Sequence, residues 1–205
     1  MKNELLILEG QWSSTANYSV QGGFDMLLNL KFGTDNAYKY AQAVSGQSFI
    51  DQLTANKETL HKYLYIASHG LNDELQLGID SIKINAIPNL IGNKFAGLYL
   101  AACTLGSDEN LLTLLSNKES LLWCAGYKTK INWIDSILFD LAFWNEYINQ
   151  WNQKSPFSSD TDLIINTSEK LKEKYSQVIE HLGFNIAYKI LDHENGESSI
   201  SLAYK

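Results

Sequence analysis

The sequence predicts a three-layer α/β/α sandwich with a mainly parallel central sheet. Two observations predict it. Short apolar runs of strand length alternate with longer segments of helical spacing from the first residue to about Trp151, which is the pattern of successive βαβ units. Two of the runs, 63–67 and 95–102, are apolar without alternation, as expected of strands covered on both faces.

The elements follow in order. Residues 5–8 form a buried strand, and a loop rich in Ser, Asn and Gly leads to helical spacing over 24–32. A second strand is expected at 38–44, then a helix over 49–60 with Ser48 as its N-cap. Residues 63–67 are a third strand, ending at Ser68, His69 and Gly70. Leu75, Leu77, Ile82 and Ile84 alternate with polar residues around Gly78 and Asp80, which predicts an antiparallel hairpin. A short helix at 86–91 precedes the strand at 95–102, which ends at Cys103. A helix at 111–115 and a buried strand at 121–125 come next. Ile134, Ile137, Leu138, Leu141, Trp144 and Ile148 recur at three- and four-residue steps, so a long amphipathic helix runs to about Trp151. The polar stretch 152–162 carries Pro156 and reads as a surface loop. From about residue 165 the chain closes with a charged helix over 168–181 and two strands, 184–191 and 199–204, across the turn-forming pair Asn195-Gly196. There is no internal repeat, and residues 1–205 are expected to form one domain.

Composition narrows the function. At 205 residues, with 45% apolar and 19% charged residues, the chain can bury one sizeable core. A formal charge of −7 repels phosphate backbones and anionic lipid, so no nucleic-acid partner is expected. No apolar run reaches the roughly 18 residues of a membrane span, and no leader pattern opens the chain, so no membrane partner and a cytoplasmic location are expected. All sixteen cations are lysines; arginine is absent. His61, His181 and His193 lack a second ligand at metal spacing, so neither a metal nor another cofactor is expected. Cys124 lies inside an apolar run and reads as a small core residue.

In an open parallel sheet, reactive residues collect where strands end at the carboxyl edge. One strand end delivers His69 and Gly70, and another delivers Cys103 after Ala101 and Ala102. If those strands are neighbours, imidazole and thiol face each other, and the thiol can lose its proton to become the nucleophilic thiolate.

These residues carry a family resemblance. Tyr65-Ile66-Ala67-Ser68-His69-Gly70 resembles the strand and Ser-His-Gly corner of the caspase-like cysteine peptidases, and Leu98 to Gly106, with its Ala-Cys-x-x-Gly element, resembles their nucleophile strand. Gly126 followed by Trp133, Asp135 and a long aromatic helix with Phe143 and Trp144 is similar to the CHAT branch. The resemblance implies that Cys103 attacks the scissile carbonyl and that His69 assists proton transfer. It also implies that the backbone amides of Gly70 and Cys103 form the oxyanion hole. A peptide or protein substrate follows from it, as does an activating or scaffolding protein partner.

Departures from the family pattern restrict specificity. Caspases grip a substrate aspartate with arginines, and this chain has none. Metacaspases place an aspartate two residues before the cysteine, where Ala101 stands. Thirty-four positions separate His69 from Cys103, against roughly fifty in caspases. The substrate pocket is accordingly open to assignment, with Ala101, Trp133, Asp135 and Asp80 as weaker candidates. A catalytically silent caspase-like module that binds protein partners is the alternative. A flavodoxin-like α/β hydrolase or transferase ranks last, because neither a phosphate-binding glycine loop nor a nucleophile elbow is present.

Overall fold

A computed structural model describes residues 1–11, 18–33, 37–56, 61–155, 158–191 and 198–204. The strands are β1 (Leu5–Glu9), β2 (Lys39–Gln42), β3 (Tyr63–Ala67), β4 (His69–Leu71), β5 (Glu74–Leu77), β6 (Asp80–Lys83), β7 (Gly97–Ala101), β8 (Trp123–Tyr127), β9 (Phe184–Leu191) and β10 (Ser198–Leu202). The helices are α1 (Gln21–Phe32), α2 (Gly46–Ala55), α3 (Ile87–Leu90), α4 (Asp108–Ser116), α5 (Trp133–Gln153) and α6 (Asp160–Leu182). A 3₁₀ turn at Ile84–Ala86 leads into α3.

Seven strands form the central sheet in the order β10-β9-β8-β7-β3-β1-β2, with β4, β5 and β6 in a small separate sheet. The five strands from β8 to β2 run parallel, and β9 and β10 are antiparallel additions at one edge. This is the mainly parallel α/β/α sandwich expected from the sequence. The C-terminal hairpin extends that sheet; its Asn195-Gly196 turn lies outside the described residues.

The strands β1, β3, β7 and β8 are buried on both faces, whereas β2 at the edge is partly exposed, and side-chain alternation sorts the buried strands into two cores. Leu5, Ile7, Tyr63, Tyr65, Tyr99, Trp123 and Tyr127 pack with α1, α5 and α6 on one side. Leu6, Leu8, Leu64, Ile66, Leu98, Leu100 and Cys124 pack with α2, α3 and α4 on the other. The chain goes from β1 outward to β2 and then returns to β3 on the far side of β1. The point between β1 and β3 is therefore a topological switch, where the connections diverge to opposite faces and open a crevice at the carboxyl edge.

Several boundaries differ from those expected, each for a local reason. Helix α2 starts earlier because Ser45 is its N-cap: the Ser45 hydroxyl accepts the Ser48 amide while the Ser48 hydroxyl accepts the Ser45 amide. Ser48 is the third helical residue of a capping box, not the cap. Helix α6 begins at Asp160, inside the stretch read as loop, through an equivalent box between Ser159 and Asp162. The hairpin after His69 is three-stranded, since His69–Leu71 itself pairs with Glu74–Leu77.

Helix α5 buries Ile137, Trp144 and Ile148 of its expected face, with Leu141 packed against the core, and departs from it at two positions. Ile134 and Leu138 are exposed, whereas Asp140 is buried and accepts hydrogen bonds from the hydroxyls of Tyr65, Tyr99 and Tyr127. Those tyrosines come from β3, β7 and β8, so one carboxyl ties α5 to three neighbouring strands. Burial pushes the Asp140 carboxyl up to about 6, against the opposing pull of the three hydroxyls.

Candidate active site

Each residue of the Ser-His-Gly corner has a packing reason. The β3–β7 ladder continues one step past the strands, where the Ser68 amide donates to the Ala101 carbonyl at 3.2 Å. The Ser68 side chain is completely buried and donates to the Gln76 carbonyl of β5. It fills the room left by Gly10, where a Cβ would fall 2.0 Å from the Ser68 oxygen. That bond turns the chain out of the central sheet into β4, leaving His69 exposed at the carboxyl edge.

The cysteine corner is bent more sharply. Beyond Ala101 and Ala102, both buried, Cys103 is half-buried. Its carbonyl accepts the Leu105 amide at 2.8 Å and the Thr104 hydroxyl at 2.7 Å. Thr104 closes this three-residue turn at φ 64°, a left-handed conformation that a β-branched residue adopts only at a cost. Two further bonds tie the turn to the end of β8: Thr104 amide to Thr129 carbonyl, 3.1 Å, and Gly106 amide to Tyr127 carbonyl, 2.9 Å. Only a glycine fits at 106, because a Cβ there would lie 2.1 Å from the Gly126 carbonyl carbon. The spacing from Cys103 to Gly106 therefore follows from one tight turn laid on the β8 backbone.

The two corners touch. Ala67 and Ala101 are register partners on adjacent parallel strands, and His69 and Cys103 stand two residues beyond each. A Cβ at Gly70 would fall 2.0 Å from the Cys103 carbonyl oxygen and 3.0 Å from its amide nitrogen. The Thr104 hydroxyl adds a second link, 3.3 Å from the Asn72 carbonyl. Consecutive Cα atoms lie about 3.8 Å apart, so the root of the imidazole is one such step from a backbone pressed on Cys103.

The sulfur has its own neighbour. The Ile131 amide donates to Sγ at 3.4 Å, and Sγ lies 3.9 Å from the Ile131 carbonyl. Helix α4, capped by Ser107, begins at Asp108, and Lys128 pairs with that carboxylate at 2.7 Å. Cys124 contrasts in every respect, being completely buried, with burial pushing its thiol well up.

The weaker candidates separate. Ala101 packs in the core below the corner. Asp80 accepts the Gly46 amide at 3.0 Å and so fastens the hairpin to the start of α2. Asp135 lines a groove between α5 and α6 with Leu138, Tyr175 and His181. Trp133, two residues beyond Ile131, meets Tyr18 in a tilted ring contact with centroids 5.5 Å apart.

Sequence reasoning did not single out Ile131, Thr104, Tyr18 or Glu9. The contribution of Ile131 is its backbone, which no residue type announces. Glu9 had a signal, a carboxylate closing an apolar strand. It is 2% exposed and accepts the Ser19 hydroxyl, the Tyr40 hydroxyl and the Val20 amide at 2.7, 2.6 and 2.9 Å. Among the described residues no group of three His, Cys, Asp or Glu side chains is placed to hold a metal ion, and no helix is long and apolar enough to cross a membrane.

The sequence matches no protein-family model and no curated protein. Among solved structures, it is similar to one described as a secreted C11 cysteine protease from Bacteroides thetaiotaomicron, iotapain, with a TM-score of 0.49 and 9% sequence identity. The likeness covers 92% of this chain and 66% of that one, just under two thirds of its length.

Proposed function

We propose that the chain is a caspase-like cysteine endopeptidase of the CHAT kind, working through Cys103 and His69. His69 takes the thiol proton, and the thiolate attacks the scissile carbonyl carbon to form a carbon–sulfur bond. The Gly70 and Cys103 amides hold the resulting oxyanion, each donor contributing roughly 3 to 4 kcal/mol in a comparable hydrolase. The carbon–nitrogen bond then breaks, and His69 returns its proton to the leaving amine. Water attacks the thioester, His69 takes a proton from it, and the acid product leaves with the thiol restored. We place the protein in the cytoplasm, where thiols stay reduced.

One observation carries this reading: Gly70 lies against the Cys103 backbone at the ends of adjacent parallel strands. A histidine and a cysteine placed in the chain for unrelated packing reasons would have no need of that contact.

The test is a peptide-library digest with the natural chain and with Cys103→Ala. The expected result is a defined set of cleavages that falls by at least about a thousandfold in the variant, the scale of losing a nucleophile. Cleavage that is identical in both samples, or absent from both, contradicts the peptidase and favours the silent partner-binding module.

A further inference from the structure

Two aromatic rings, Tyr18 and Trp133, meet near the carboxyl edge of the sheet, one rooted at the end of β1 and the other close in sequence to the Ile131 amide that bonds to Cys103. Tyr18 belongs to the β1 side. Its neighbours Ser19 and Val20 are bonded to the buried Glu9 carboxylate at the last position of β1, in register with Ala67 and, through it, Ala101. Trp133 belongs to the Cys103 side. It is the first residue of α5, whose N-cap Asn132 accepts the Ile134 amide at 2.8 Å, and the preceding Ile131 amide is bonded to Sγ.

The rings meet at 5.5 Å with 34° between their planes. Only β3 separates β1 from β7 in the sheet. The helices that follow Tyr18 and begin at Trp133, α1 and α5, pack on the same face of the sheet, so the pair of rings lies at the carboxyl edge of that face. Tyr18 is 56% exposed, so the pair faces solvent as well as core. The Trp133 indole N–H is buried without an acceptor among the described residues.

We propose that Tyr18 and Trp133 form the specificity wall of the site and select a large apolar side chain, aromatic or leucine-sized, on the acyl side of the scissile bond. This rests on the peptidase reading. The cations nearby do not offer a rigid alternative. Arginine is absent, Ala101 is buried in the core, and Lys128 is paired with Asp108. Lys130, exposed next to Ile131, is a flexible cation. Flat aromatic faces instead recognise apolar side chains through burial and ring contact.

The test uses peptidyl acyloxymethyl ketones that differ only in the residue next to the reactive group: Phe, Leu, Asp, Lys or Gly. In each, the Cys103 sulfur displaces a carboxylate from the methylene carbon, and peptide mapping of the full chain gives the labelling rate. The Phe and Leu probes should react with Cys103 at least about tenfold faster than the Gly, Asp and Lys probes, the range of apolar-pocket discrimination. Tyr18→Ala, at an exposed position, and Trp133→Leu should each cut the Phe-to-Gly ratio to about a third or less, while Tyr18→Phe retains it. Labelling without apolar preference, a preference that survives both substitutions, or the Asp probe reacting fastest overturns the wall but leaves the peptidase standing. If iodoacetamide modifies Cys103 and none of the five probes does, the peptidase reading fails and the wall with it.

Discussion

Gly70→Ala should reduce peptide cleavage by about a hundredfold and destabilise the fold by about 2 kcal/mol. The added methyl would overlap the Cys103 carbonyl oxygen at 2.0 Å, and this neighbour is backbone, not the movable tip of a side chain. Either β4 must lift away, carrying His69, or the Cys103 turn must shift, although Thr104 already holds a left-handed φ and the Thr104 and Gly106 amides are bonded to the Thr129 and Tyr127 carbonyls. A displacement of about 1 Å between reacting groups is enough for a hundredfold loss. Cleavage rates and urea denaturation check both numbers. Gly22→Ala serves as the control, because nothing lies within 4 Å of a Cβ at that helical position. There alanine should add about 0.5 to 1 kcal/mol of stability without altering cleavage.

The second large effect is expected at Asp140. Asp140→Ala removes the acceptor shared by Tyr65, Tyr99 and Tyr127. Tyr99 and Tyr127 can still bond to each other at 3.2 Å, and Tyr127 to the Ser136 carbonyl at 3.2 Å, which leaves Tyr65 the most exposed to loss. Leaving such a hydroxyl buried and unpaired costs about 1 to 3 kcal/mol, and the lost link between α5 and the strands leading to His69 and Cys103 adds to it. A fall of about 3 kcal/mol in urea denaturation is the expected outcome, whereas Asp140→Asn, which keeps an acceptor, should lose about 1 kcal/mol or less at pH 5.

The same residue gives stability a pH dependence of defined sign. The folded carboxyl is raised to about 6 from 3.8. Between those values the folded state binds more protons than the unfolded chain, so this group's contribution is present at low pH and is lost as pH rises through about 6. Two pH units correspond to about 3 kcal/mol. His61, which burial holds below its ordinary range, acts in the opposite direction but is common to both proteins. The difference in stability between Asp140→Asn and the natural chain should therefore shift in favour of the variant from pH 4 to pH 7. Parallel curves would contradict the buried-carboxylate account.

The layout of strands and helices was legible in the sequence because a buried parallel strand is apolar throughout and its neighbours are helices of clear period. What escaped were features that depend on local hydrogen bonds. Ser45 and Ser159 cap helices whose first turns are polar, so hydrophobic spacing placed their starts too late. On α5, Ile137, Trp144 and Ile148 of the expected face are buried, but Ile134 and Leu138 are exposed while Asp140 and Glu146 are buried. The buried carboxylate is stable there only because three hydroxyls from distant strands meet it, a fact of tertiary structure. The candidates His69, Gly70 and Cys103 are legible because two apolar strands end at them and because their flanking residues resemble those of the caspase-like peptidases. The Ile131 amide and the ring contact of Tyr18 with Trp133 are not, since they join segments far apart in the chain.

The central claim is that His69 and Cys103 act as a pair, and the most direct measurement is the iodoacetamide reaction rate of Cys103 at neutral pH in the natural chain and in His69→Ala. Cys124, sealed in the core, provides the internal reference. The account predicts that Cys103 reacts at least about a hundredfold faster than Cys124, and that removing the imidazole slows Cys103 by about tenfold or more while Cys124 is unchanged. Equal rates for Cys103 with and without His69 would contradict it.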